Sequence, residues 1–307
     1  MRFLTTLLLT LCLTSSAIAQ ETPAETSPTP DHPGLPVWEA VLLGVVEGAT
    51  EYLPVSSTGH LVLVQHALGQ AETAEKKAAD DALAICIQSG AILAVVFLYF
   101  GRLQSMFRGV FGGDLAGRRL FVNVVIAFLP AAVIGLVLRH KIKEYLFGPE
   151  PVAWALLVGG ILILAVANTI VKKGEASGKE LTDLNWKQAL LIGFAQCVAL
   201  FPGFSRSLAT ILGGLWAGLK LSAAVEFSFL LGFVTLTAAT VLEAKDSGGI
   251  IIEQFGIVSP IIALVVAFVA AVLSIKFMIK LLNSYGLAPF GYYRIALAVV
   301  CFWLIWR

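Results

Sequence analysis

From about residue 37 onward the chain alternates long apolar runs with short polar breaks. Six runs are long enough to cross a hydrocarbon core of about 30 Å as helices; they lie at roughly 82–101, 119–139, 151–171, 222–243, 259–282 and 289–306. Two other apolar regions are interrupted midway. Leu53-Pro54 and Pro202-Gly203 each separate two stretches of half-membrane length, the second ending near residue 69 or 218. Helix breakers between half-length helices predict re-entrant hairpins, whose bare backbone is tolerated at depth only where protein or a wet cavity covers it. The pattern therefore predicts an all-α polytopic membrane protein with six spanning helices plus two re-entrant helical hairpins.

Loop charges orient this scheme, because basic residues concentrate on the cytoplasmic side. Arg102, Arg108, Arg118 and Arg119 follow the first span, and Lys172, Lys173, Lys179 and Lys187 follow the third, so both loops are expected inside. The net acidic loops at 70–81 and 244–258 are expected outside, and residues 140–150 must join them despite Lys141 and Lys143. Gly44-x-x-Glu47 with Ser56-x-Thr58 aligns with Gly193-x-x-Gln196 and Ser205-x-Ser207 at a constant offset. Three spans separate the hairpins, so the second must enter from the opposite face. The result is an inverted-topology repeat, about 37–171 and 186–307, whose two breaks meet near the midplane.

Residues 1–19 read as a secretory signal: Arg2, an apolar run from Phe3 to Leu13, then Ala17-Ile-Ala19 as the cleavage site. Residues 20–36 are rich in Pro, Thr, Glu and Ser and read as a flexible leader, leaving 37–307 as the membrane-embedded domain. At 58% hydrophobic and 13% charged residues, the composition exceeds what one soluble core could bury. A net charge of +1 without a basic stripe argues against a nucleic-acid partner. Cys86, Cys197 and Cys301 lie singly in apolar segments, which predicts neither a disulfide framework nor a zinc site.

Candidate chemistry is concentrated at the two breaks, Glu47-Gly-Ala-Thr-Glu51-Tyr-Leu-Pro54-Val-Ser56-Ser57-Thr-Gly-His60 and Phe201-Pro202-Gly-Phe-Ser205-Arg206-Ser207-Leu-Ala-Thr210. Ionisable groups inside membrane-length apolar sequence are costly and default to function. Glu47 and Glu51, spaced i, i+4, share a helical face, where two carboxylates repel unless a cation lies between them. All-oxygen ligation suits Mg²⁺ or Ca²⁺, completed by water and substrate phosphate oxygens. Ser56 or Ser57 and Ser205 fall at the N-caps of the second half-helices, so two helix N-termini would face one anion. Arg206 offers a fork for phosphate oxygens, and Ser207 and Thr210 further donors. Ser57 and His60, at i, i+3, are spaced for an imidazole to take a hydroxyl proton. Together these groups describe phosphoryl transfer inside a membrane.

Both motifs resemble the signatures of the undecaprenyl-diphosphate phosphatase family, also called bacitracin-resistance proteins. The likeness extends to Gln88-Ser-Gly-Ala-Ile-Leu-Ala, Glu226-Phe-Ser-Phe-Leu-Leu and Pro289-Phe-Gly-Tyr-Tyr-Arg294, and covers about 37–307. It implies an integral bacterial phosphatase that removes the terminal phosphate of undecaprenyl diphosphate, regenerating the carrier lipid for envelope polymers. It further implies dependence on a divalent cation, an outward-facing site in the cytoplasmic membrane and two interdigitated inverted repeats. By the same resemblance Glu47 and Glu51 match the metal-site pair, and Ser57 and His60 the catalytic hydroxyl and imidazole. Arg206 with Ser205, Ser207 and Thr210 matches the diphosphate-binding loop. Serine, histidine or water could each attack phosphorus; Ser57 with His60 as its base is the favoured assignment. Leu208 stands where the family usually has Gly, and Phe204 where it commonly has Thr or Ser.

Rival readings are a secondary transporter or lipid flippase, which shares inverted repeats and midplane carboxylates, and a phosphatase of the type 2 phosphatidic acid phosphatase kind. The latter needs a further histidine after its Ser-Arg, and here Ser207-Leu-Ala-Thr-Ile-Leu follows Arg206. The partners expected are a polyprenyl diphosphate and the bilayer. Oligomeric state is left open, with room for a homodimer.

Overall fold

In the computed structural model, residues 35–67, 74–146, 148–166 and 178–306 are described. The signal and nearly all of the leader lie outside these residues, as do Lys172 and Lys173. The described residues form eleven α-helices. The first hairpin is α1 (Val37–Thr50) and α2 (Ser57–Ala67). Next come α3 (Ala74–Leu98), α4 (Phe100–Val110), α5 (Leu115–Leu146) and α6 (Pro149–Val166). The second hairpin is α7 (Trp186–Cys197) and α8 (Arg206–Trp216), followed by α9 (Leu221–Phe255), α10 (Val258–Tyr285) and α11 (Ala288–Ile305).

Among the described residues five helices are long and apolar enough to cross a membrane, or six if Ala82–Leu98 and Phe100–Val110, bent by 81° at Tyr99, are counted as one span. The expected first span therefore stops at Leu98 and turns through Tyr99 rather than running straight to residue 101. Two expected loops are largely helical. α9 continues through 244–255 before breaking at Gly256, which has φ 67°, and α5 runs on to Leu146. At about 1.5 Å per residue the 35-residue α9 is near 50 Å long, so its end projects well beyond an apolar core. The charges that mark 244–258 as a loop are those of a protruding helical turn.

Small residues set the close approaches. Gly44 and Gly48 of α1 lie against the backbone of α10, where a Cβ on Gly44 would come within 2.5 Å of the Ala263 carbonyl oxygen. α7 meets α5 in the same manner, a Cβ on Gly193 falling 2.6 Å from the Ala127 carbonyl oxygen. Helices in lipid gain little from apolar burial against one another, so such backbone-to-backbone packing supplies much of their cohesion. The outward face of α10 carries Val265, Val269, Leu273 and Phe277, all exposed and four residues apart, a stripe suited to lipid.

Polar contacts fix which ends lie together. Arg102–Glu226 and Lys220–Glu180 ion pairs, and the Asn123 side chain donating to the Leu184 carbonyl, gather α4, the start of α5, the start of α7 and the start of α9 at one end. At the other end Arg139 pairs with Glu243, and the Ser259 hydroxyl donates to the Leu35 carbonyl beside the start of α1. The two hairpins thus begin at opposite ends of the bundle, and their turns meet inside it.

Candidate active site

Each hairpin turn ends in a serine with an unusual backbone. Ser56 has φ 73° and Ser205 φ 80°, and they are the only positive-φ residues other than glycine among those described. Such conformations cost about 1–3 kcal/mol each and persist where the surroundings impose them. Both serines cap the helix that follows: Ser56 Oγ accepts from the Gly59 amide at 3.2 Å, and Ser205 Oγ accepts from the Leu208 amide at 3.3 Å. The expected pair of capped helix N-termini is present, with Ser56 rather than Ser57 as the first cap.

The turns are stitched together. Ser207 Oγ donates to the Leu53 carbonyl at 2.8 Å, and Ser205 Oγ lies 3.5 Å from the same oxygen. Leu53 lies in the turn after α1, just before a proline that has no amide hydrogen, so its carbonyl needs a donor from elsewhere. Ser207, expected to offer a further donor to phosphate, thus directs its proton to the neighbouring turn in this structure. Thr210 is likewise committed, bonding back to the carbonyls of Arg206 and Ser207 and sharing a 2.6 Å bond with the Ser228 hydroxyl. Both side chains are fully buried, and a threonine inside a helix commonly bonds its own preceding turn.

At the centre lies Glu51. Its Oε1 accepts from Arg206 Nη2 at 3.1 Å, while Oε2 accepts from the Ser57 hydroxyl at 2.6 Å and from the Gln88 amide at 3.4 Å. Arg206 also donates to the Ser228 carbonyl at 2.9 Å and stacks 5.2 Å above the Tyr52 ring. The Arg206 guanidinium thus pairs with one Glu51 oxygen, while the other takes the Ser57 and Gln88 donors. Glu47 is different: both carboxylate oxygens are buried without a hydrogen-bond partner. Arg206 Nε and the Tyr52 hydroxyl are also without one. An orphaned carboxylate one helical turn from a second fits a hard, oxygen-seeking cation. Among the described residues no group of three or more His, Cys, Asp or Glu is assembled, so water and substrate oxygens would have to complete the shell.

His60 departs from expectation. Its Nδ1 lies 2.7 Å from the Ser56 carbonyl, which requires a proton on that nitrogen, and its Nε2 lies 2.7 Å from the Tyr293 hydroxyl. Both ring nitrogens are engaged away from Ser57, whose proton is directed at Glu51 instead. The i, i+3 spacing places the two side chains on neighbouring positions of the first turn of α2, but the turn holding Glu51 folds back over Ser57 and takes its hydroxyl first.

Gln88, Ser228, Tyr293 and Arg294 fall in segments that carry the family likeness, but the sequence alone assigned none of them a role. Arg294 was the most legible of these, being a lone cation in an apolar span. Its partners are backbone carbonyls, which leave no residue signature.

The chain matches the family model described as bacitracin resistance protein BacA over residues 40–300. It is 47% identical over 268 residues to an undecaprenyl-diphosphatase of Sorangium cellulosum, covering 87% of this chain and 86% of that one. An undecaprenyl-diphosphatase of Nitrosomonas europaea is 41% identical, over 85% of this chain and 92% of its own. One from Acinetobacter baumannii is 40% identical, over 86% and 94%.

Proposed function

Since the chain belongs to the bacitracin resistance protein BacA family, we propose that it is an undecaprenyl-diphosphatase. It releases inorganic phosphate from the carrier lipid diphosphate, returns the monophosphate to cell-wall synthesis and thereby confers resistance to bacitracin. The site is read as facing outward from the bacterial cytoplasmic membrane, in keeping with the loop charges.

One observation carries the mechanism: a serine hydroxyl bonded to a carboxylate that also binds an arginine, where two serine-capped helix starts converge. Ser57 Oγ attacks the terminal phosphorus and passes its proton to Glu51. The anhydride P–O bond breaks, and the leaving oxygen keeps the electron pair as polyprenyl phosphate. Arg206 and the free amides of α2 and α8 stabilise the charge that builds on the phosphoryl oxygens. Water then attacks the phosphoserine and gives up a proton to His60; the P–O bond to Ser57 breaks, Ser57 Oγ takes back the proton held on Glu51, and phosphate is released. His60, held by the Ser56 carbonyl and Tyr293, serves this second step as a proton relay. Glu47 and Glu51 are the residues that would hold Mg²⁺ or Ca²⁺. Such an ion would neutralise the diphosphate and draw it to the site.

The test is phosphate release from undecaprenyl diphosphate by detergent-purified protein, with Mg²⁺ or Ca²⁺ and with chelator. Metal-dependent release, lost in folded Glu51→Gln and Arg206→Ala proteins, is the expected result. A folded wild type that releases none under any metal condition overturns the reading and brings transport forward, which a flux assay then decides.

A further inference from the structure

α11 carries one cation, Arg294, and its side chain is fully buried. Every hydrogen bond it makes ends on a backbone carbonyl. Nε reaches Leu156 at 3.3 Å and Nη2 reaches Ala155 at 2.9 Å, both on α6. Nη1 reaches Pro54 at 3.3 Å and Nη2 also reaches Gly203 at 2.9 Å. These last two carbonyls belong to the two hairpin turns. Each lies two residues before the positive-φ serine that caps the next helix. One guanidinium therefore grips equivalent points of both turns while its other bonds anchor it to α6.

That arrangement is costly if its only purpose is packing. A buried cation without a carboxylate partner loses several kcal/mol of hydration, and an apolar side chain of similar size would fill the space more cheaply. A planar fork offers what an apolar residue cannot, a fixed separation between the oxygens it binds. Room for it is built in, because a Cβ on Gly159 of α6 would overlap the guanidinium. The adjacent Tyr293 bonds His60 in α2, so consecutive residues of α11 hold the first hairpin at its turn and at its imidazole.

We infer that Arg294 is a positioning residue for phosphoryl transfer: it sets the distance between the capped starts of α2 and α8, aligning Ser57 with the phosphoryl group held by Arg206. The inference rests on the hydrolytic reading above. Small displacements of reacting groups suffice to slow a reaction by about a hundredfold. Arg294→Lys keeps the charge but not the fork. Gly159→Ala leaves Arg294 in place and pushes its guanidinium from the α6 side.

The experiment measures kcat and KM on undecaprenyl diphosphate for full-length wild type and both variants, with hydrogen exchange of peptides covering 51–60 and 201–208. Expected are a kcat about 10- to 100-fold lower, KM within a few-fold of wild type, and faster exchange in both turns together. The inference is overturned by wild-type kcat in Arg294→Lys, by faster exchange in one turn only, or by activity loss that merely tracks global unfolding. If Arg294→Lys does not fold, Gly159→Ala decides by the same criteria. A folded wild type without phosphate release would take down the hydrolytic reading itself, whereas joint loosening of the turns would still establish Arg294 as their tie.

Discussion

In the first hairpin Ser56 turns at φ 73° and leads into Ser57, whose hydroxyl donates to Glu51; in the second Ser205 turns at φ 80° and leads into Arg206, which binds the same carboxylate. The two half-sites share a backbone device and divide the chemistry. Each has a helix broken at a proline or glycine, a strained serine cap, and a glycine pressed against the backbone of a long span. At matched positions the first hairpin carries an acid and a hydroxyl, and the second an amide and a cation. Glu47 corresponds to Gln196: both Glu47 oxygens lack a partner, whereas Gln196 lacks one only at Nε2, its Oε1 accepting from the Thr235 hydroxyl at 3.2 Å. Charge of one sign has gathered on each side, so neither hairpin is a complete site alone.

The comparison breaks most sharply at the pair joining the halves. Arg206→Ala should lower kcat/KM by about 10³-fold or more, the scale of losing a guanidinium that stabilises a transferring phosphoryl group. Glu51→Gln should cost as much, because Ser57 loses its proton acceptor. The double variant should be hardly worse than either single one, as expected of residues acting as a unit. Additive losses in steady-state phosphate release would show that the halves act separately.

Glu47 and Gln196 offer the next test. Glu47→Gln makes the first hairpin resemble the second, and the Mg²⁺ concentration for half-maximal rate should rise about 10- to 100-fold. Titration with the metal checks this, and an unchanged requirement would remove Glu47 from the cation site. A smaller effect is expected at the glycines. Gly44→Ala and Gly193→Ala should each destabilise by about 1–3 kcal/mol, since each Cβ would press on a carbonyl of a packed neighbour. Thermal melting in detergent should show similar losses, and a large inequality would mean that the hairpins are docked by different means.

Much of this architecture is legible in the residues because the bilayer allows few alternatives. Apolar runs of the right length give the spans, and Pro54 and Pro202-Gly203 mark the breaks, since backbone left open in lipid must be covered. Glu51, Ser57 and Arg206 stand out as costly polar groups. Tertiary partnering is harder to read. Spacing pairs Ser57 with His60, but it takes the folded turn to show Glu51 reaching Ser57 first. Ser207 and Thr210 read as ligand donors, and nothing in their spacing signals the bonds they make to the Leu53 carbonyl and the Ser228 hydroxyl. Arg294 is visible only as a charge in the wrong place, because the carbonyls it binds belong to Pro54, Ala155, Leu156 and Gly203, residues that advertise nothing.

The finest comparison concerns the two caps. Serine at positive φ is strained, whereas glycine adopts that backbone freely, so Ser56→Gly and Ser205→Gly each relieve strain while losing a capping bond. The two effects oppose, and folding stability should change by less than the larger effect alone, about 1 kcal/mol or less in either variant. Function should divide them from each other. The Ser205 hydroxyl also lies 3.0 Å from Ser207 and near the Leu53 carbonyl, so its loss loosens the stitch between hairpins as well as the cap. The only side-chain bond of the Ser56 hydroxyl described is to the Gly59 amide of its own helix. Ser205→Gly should therefore raise KM several-fold more than Ser56→Gly at nearly equal melting temperature. Equal KM values would mean that the hydroxyls serve only as caps, and that the strained backbone is kept for the direction it gives to Ser57 and Arg206.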